Sequence, residues 1–189
     1  MLKFYTGVGS RQTPKNMLDL IKDVAYFLHT KGWTLRSGHA LGADEAFELG
    51  AHTASVETQT VCNSQIFLPW KGFGTEPYKE DPGRPVLGCS ICLPKEELIL
   101  NYKFLVDLKV RARSVQAEAV QLLHGRNYNQ VVGLPDQDPS KFLIAYAPVV
   151  NGEPQGGTAT AIKLAQVLKI PVFNLFIQED LKKIQEKLK

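Results

Sequence analysis

Four short segments of this 189-residue chain carry residue types and spacings suited to holding an anion. The sharpest runs Gly152-Glu153-Pro154-Gln155-Gly156-Gly157-Thr158-Ala159-Thr160-Ala161. Two consecutive glycines, then Thr158 and Thr160 opening a helical stretch, match an anion nest. In such a nest backbone N–H groups and hydroxyls donate, and the helix dipole adds positive potential. The plainer alternative is a tight turn with a Thr N-cap and no ligand. There is no Gly-Lys-Thr or Gly-Lys-Ser, so magnesium-dependent triphosphate hydrolysis of the Walker type is not expected.

The second segment is Ser37-Gly38-His39-Ala40-Leu41-Gly42-Ala43-Asp44-Glu45-Ala46-Phe47-Glu48. Gly38 and Gly42 permit close backbone approach, while Asp44 and Glu48 fall four residues apart on one helix face. Asp44 reads either as a dipole-favoured residue of a first helical turn or as a carboxylate for ribose hydroxyls or a glycosidic carbon. The third is Gly7-Val8-Gly9-Ser10-Arg11 with Thr13 and Pro14, where an Arg in a Gly/Ser loop can fork onto phosphate oxygens. A surface Arg with no ligand is the alternative. The fourth, Arg126-Asn127 beside Tyr128 and Asn129, reads on its own as a helix terminus.

These segments need a scaffold that delivers them to one place. Leu2 to Thr6 is a short apolar strand. Met17, Leu18, Ile21, Val24, Ala25 and Leu28 then recur at helical spacing up to Gly32. Trp33–Arg36, Ile66–Leu68, Phe142–Tyr146 and Val172–Phe176 read as further strands. Helices are expected at 43–53, from 95 to about 127 with a break near 111–114, at 157–168 and at 179–189. Alternation of strand and helix implies right-handed crossovers and a parallel sheet. The expected class is α/β: one Rossmann-like three-layer domain spanning 1–189, with a mostly parallel five-stranded sheet. In such a sheet ligands bind beyond the carboxyl ends of the strands, near the point where strand order reverses. Periodicity disappears between about residues 70 and 94, which reads as an irregular insertion, either a binding loop or an ordered surface excursion.

Composition narrows the functional classes. Lys plus Arg number 22 against 19 Asp plus Glu, and a net charge of +3 is too small for a dedicated nucleic-acid wrapper. No apolar run reaches membrane-span length and no signal peptide is expected, which places the chain in a cytoplasm. Three cysteines do not make a disulfide framework. Cys89-Ser90-Ile91-Cys92 has C-x-x-C spacing, but a zinc site would draw its remaining ligands from Cys62, His39, His52, His124 or a carboxylate, with no second local pair; no metal is expected. Trp70, Phe73 and Tyr78 are suited to base stacking or to packing of the insertion on the core.

In order and spacing, Tyr5-Thr6-Gly7-Val8-Gly9-Ser10-Arg11, Ser37-Gly38-His39-Ala40-Leu41-Gly42-Ala43-Asp44 with Glu48, Phe67-Leu68-Pro69-Trp70, Arg126-Asn127 and Gly156-Gly157-Thr158 together resemble the SLOG superfamily. That superfamily groups the Smf/DprA recombination mediators, the Lonely-guy nucleotide phosphoribohydrolases and the YspA/YpsA-like proteins, and the YspA-like pattern is the most similar. The resemblance spans about residues 4 to 175, leaving 70–125 uncovered. It implies a Rossmann-like fold that binds a nucleotide or nucleotide-derived ligand, without a further cofactor, through Gly9, Ser10, Arg11, Ser37, Gly38, Gly42, Asp44, Arg126, Asn127, Gly156, Gly157 and Thr158. Lonely-guy enzymes carry P-G-G-x-G-T-x-x-E, and this chain has Ala161 with no Glu one turn into the helix.

Three functions follow as expectations. The first is a nucleotide-binding module. The second is cleavage or exchange of an N-glycosidic bond, with Asp44, Glu45 or Glu48 as nucleophile or acid and base. The third is single-stranded DNA binding of the Smf/DprA kind, through Arg11, Lys71, Arg84 and Arg126. A homodimer or higher oligomer is compatible with each.

Overall fold

Alternating strand and helix signals resolve into a three-layer α/β structure in the computed structural model, which describes residues 2–77, 83–111 and 116–188. In chain order the elements are β1 (Lys3–Gly9), α1 (Lys15–Thr30), β2 (Trp33–Ser37), α2 (Ala43–Glu57), β3 (Gln65–Leu68) and β4 (Cys89–Cys92). Then follow α3 (Lys95–Asp107), α4 (Glu118–Val132), β5 (Leu143–Tyr146), β6 (Val149–Val150), β7 (Glu153–Pro154), α5 (Thr158–Val167), β8 (Val172–Asn174) and α6 (Gln178–Lys187).

The main sheet runs β4-β3-β2-β1-β5-β8, and every neighbouring pair in it is parallel. It therefore has six strands rather than the five expected. The extra strand, β4, comes from the segment read as irregular, and pairs Gln65↔Cys89 through Leu68↔Cys92. As a mostly exposed edge strand of Cys, Ser, Ile and Cys it has no apolar alternation to announce it, and only the register with β3 defines it. β6 and β7 form a small separate antiparallel hairpin between β5 and α5.

Each face of the sheet is sealed by side chains of alternating parity. Tyr5, Leu35, Ile66 and Ile144 pack with Ile21, Val24, Ala25 and Leu28 of α1 and Ala46, Phe47 and Ala51 of α2. Val8, Leu143 and Ala145 pack on the other side with Leu105, Val131, Ala161, Ile162 and Leu164. Each large apolar side chain buried this fully contributes about 1.5–3 kcal/mol of transfer free energy. α1 illustrates the logic: its buried residues fall at i, i+3, i+4 and i+7, so one stripe meets the core while its charged residues face water.

Several boundaries shift. β1 continues through Gly7 to Gly9, α2 reaches Glu57, and separate helices α3 and α4 stand where one interrupted helix was expected. The break was expected near 111–114; Arg111 is described, whereas 112–114 lie outside the described residues, as do Tyr78 and Lys189. No helix among the described residues is long and apolar enough to cross a membrane.

Candidate functional site

The strand order turns at β1, with β2 on one side and β5 on the other, so the loops leaving β1 and β5 flank the switch-point crevice. The Ser10 N–H donates to the Tyr146 carbonyl at 2.9 Å, tying the loop after β1 to the end of β5. The Ser10 carbonyl accepts the Thr13 hydroxyl at 2.7 Å and the Ala43 N–H at 3.3 Å, so it joins that loop to the start of α2. Gly42 makes the junction possible. It sits at φ +84, and a Cβ there would lie 2.7 Å from Ser10 O and 2.9 Å from Arg11 Cα. Arg11 itself is exposed.

Across the crevice stands the start of α5. Gly156 adopts φ +76, a left-handed conformation natural to glycine, and Gly157 follows at φ −63, ψ −33. A Cβ on either residue would meet nothing within 4 Å. No side chain caps this helix and its first turn holds no acid, so the positive end of its dipole is uncompensated. The Thr N-cap of the plainer alternative is not formed; Gly157 takes that position. From beneath, α4 braces the turn: Asn127 Nδ2 donates to the Gly157 carbonyl at 3.2 Å, and Thr160 Oγ1 shares a 2.9 Å hydrogen bond with His124 Nδ1. Burial, then the charges of Arg111 and Arg126, push His124 down to about 4, so its ring is neutral at pH 7.

The other part of this edge, at the ends of β2 and β3, is filled by the protein's own charges. Asp44 is buried and its Oδ1 accepts the Gly9 N–H at 2.9 Å. Burial pushes its carboxyl up, against the pull of Arg126 and of the Gly9 and Ala40 N–H groups. Arg126 donates from Nη1 to the Gly38 carbonyl and, at 3.4 Å, to that of Phe67, with the Phe73 ring 5.4 Å away. Burial lowers its pKa and Asp44 acts in the opposite sense. Glu48 accepts from His39 Nδ1 at 2.7 Å and, on its other oxygen, from the Leu87 N–H. Glu45 is half-exposed and pairs with Arg84 Nε at 3.2 Å. The Ser37 hydroxyl donates inward to the Gly7 carbonyl at 2.7 Å.

The expected residues thus divide. Gly9, Ser10, Gly42 and Asp44 are brought together in one hydrogen-bonded junction, and Asn127 reaches the Gly156-Gly157-Thr158 turn. Arg126, Gly38 and Ser37 are joined to backbone of the strand ends rather than to that turn. Sequence reasoning gave no such role to His39, Arg84, Thr160 or His124; only the polar type of each hinted at it. Among the described residues no group of His, Cys, Asp or Glu could hold a metal ion. A concavity of about 240 Å³ opens between α2 and Arg84–Leu87, lined by His39, Glu45 and Glu48. A larger one, about 360 Å³, lies between α1 and Leu188, away from the carboxyl ends of the strands, and holds none of these groups.

Sheet order, three-layer packing and a switch-point crevice define a Rossmann-like fold. Solved structures share it. The molybdenum cofactor carrier protein of Chlamydomonas reinhardtii is 18% identical, with a TM-score of 0.51 over 100% of this chain and 85% of that chain. DNA processing protein A of Streptococcus pneumoniae is 15% identical at a TM-score of 0.52, over 98% of this chain and 56% of that one. The Helicobacter pylori DNA processing protein A, known for a single-stranded DNA binding mode, is 16% identical at a TM-score of 0.50, over 98% and 72%. At such identities the likeness speaks to the fold alone. No protein-family profile and no curated protein matches the sequence.

Proposed function

We propose that the protein binds a phosphate-bearing small molecule, a nucleotide or a nucleotide derivative, in the crevice between the loop after β1 and the start of α5. One observation carries the reading: the Gly156-Gly157 turn is open, uncapped and free of first-turn acid at the switch point of a parallel sheet. Phosphate fits such a helix start, because several N–H groups and the helix dipole address it at once. Gly9 and Ser10 supply the opposite wall, and exposed Arg11 supplies a guanidinium for a second oxygen. In this reading Asp44 and Glu48 hold loops together, and neither acts as a nucleophile. The ligand-binding carrier protein with this fold supports a small-molecule reading.

Calorimetric titration with nucleoside monophosphates, diphosphates and cyclic mononucleotides tests it. Heat with at least one member, reduced by competing inorganic phosphate, is the expected outcome; a folded protein silent toward the whole panel contradicts it. The DNA processing proteins with this fold support single-stranded DNA as a second reading. That reading requires affinity for an oligonucleotide to fall steeply with salt, since phosphate contacts release counterions. A gel shift that is flat from low to high salt rejects it.

A further inference from the structure

His39 is held with both ring nitrogens facing acceptors. Nδ1 lies 2.7 Å from Glu48 Oε2, and Nε2 lies 3.2 Å from the Arg84 carbonyl oxygen. A neutral imidazole carries one N–H and leaves a lone pair against one of these oxygens, whereas the imidazolium carries two and satisfies both. The contact is reciprocal, because Arg84 Nη2 donates to the His39 carbonyl at 2.8 Å. Glu48 extends it by accepting the Leu87 N–H on its second oxygen. The Arg84 N–H in turn donates to the Gly74 carbonyl at 2.7 Å. Gly74 lies so close to the His39 ring that a Cβ would come within 2.7 Å of it. Its neighbour Phe73 covers Arg126.

From these contacts we infer that His39 and Glu48 form a proton-dependent clamp, which seats Gly83–Gly88 against α2 and, through Gly74, holds Phe73 over Arg126 while His39 is charged. Among the described residues the charges acting on His39 are Glu48 from α2 and Arg84 from the clamped segment. Burial and the charge of Arg84 oppose protonation, but the hydrogen bond and charge of Glu48, with the Arg84 carbonyl, prevail and raise the pKa above the ordinary 6.5. The sign follows. A histidine whose folded pKa is raised stabilises the closed form fully below its ordinary pKa, and that contribution is lost as pH rises through the raised value. The segment therefore loosens on the alkaline side, uncovering the ends of β2 and β3. The clamp stands on its own contacts; only its effect on ligand access rests on the proposed function.

The test uses the full chain without ligand: the His39 ring is titrated by NMR, and protection of the Leu87 amide from hydrogen exchange is followed over the same pH range. The account expects a His39 midpoint above 6.5. It also expects Leu87 protection, corrected for base-catalysed exchange, to fall through that midpoint. Glu48→Gln lowers the midpoint and flattens the response. A wild-type midpoint at or below 6.5, or Leu87 protection unchanged while His39 titrates, overturns the clamp. A pH response with no heat from any nucleotide keeps the clamp and rejects the ligand reading, and the reverse result does the opposite.

Discussion

The carboxyl edge of this sheet has two halves built on opposite principles. At the ends of β2 and β3 the chain turns its charges inward: Asp44, Arg126, Glu48 and His39 are all buried and meet backbone groups or one another. At the start of α5 it leaves donors exposed, with glycines in open space and no acid nearby. Internal bonding removes conformational freedom and fixes the loops, whereas an uncompensated helix start keeps its potential for something that arrives from outside. The closed half thus supplies rigidity, and the open half is where the proposed function puts the binding.

If that contrast is right, damage to the closed half appears as lost stability. Asp44→Ala leaves the Gly9 N–H without its acceptor and removes the carboxylate charge acting on buried Arg126, and is expected to cost about 1–3 kcal/mol, read as a fall in the urea midpoint. A loss well under about 1 kcal/mol would mean that Asp44 is not a structural tie.

Damage to the open half appears instead as lost affinity. Gly157→Asp places a carboxylate at the helix start, where φ −63 and ψ −33 suit an ordinary residue and the dipole favours an acid, so helix stability holds or rises by up to about 1 kcal/mol. The new carboxylate occupies the anion position, and nucleotide affinity drops by tenfold or more, about 1.4 kcal/mol. Gly156→Ala is intermediate, because the left-handed φ of +76 costs an alanine about 1–2 kcal/mol and deforms the turn, with a modest loss of binding. Smallest is Glu45→Gln, which removes a half-exposed ion pair and should change stability by less than about 1 kcal/mol.

Acid separates the two histidines. His124 is pushed down to about 4, so its folded form resists charging, and stability should decline as pH falls from 6.5 toward 4. His39 responds in the opposite range, its contribution fading on the alkaline side. Denaturation of His124→Gln across this interval should lack the acid decline; retention of the full decline would place its origin elsewhere.

Legibility in the sequence followed the range of the interactions. α1 was readable because its buried stripe repeats within a few residues, and the Gly/Ser/Thr loops were readable because their composition is local. β4 was not, since four exposed edge residues carry no period and are defined by pairing with β3. α2 ran past its expected end because the buried residues of its last turn, Ala54 and Ser55, are too small to give an apolar signal, and Val56 and Glu57 are exposed. Site chemistry divided the same way. Gly156, Gly157, Ser10 and Gly42 were visible as backbone-permissive positions. That Arg126 would be spent on the Gly38 carbonyl, 88 residues away, and Asp44 on the Gly9 N–H, 35 away, is fixed only by sheet order.

The central claim, that the open start of α5 holds the phosphate of a ligand, is tested most directly by following the backbone amides of Gly156, Gly157 and Thr158 by NMR while a nucleoside monophosphate is titrated. The account predicts saturable downfield shifts at Gly157 and Thr158, as their N–H groups donate to the incoming oxygens, and no such shifts in Gly157→Asp. Binding that leaves these amides unmoved, or shifts confined to the ends of β2 and β3, would contradict it.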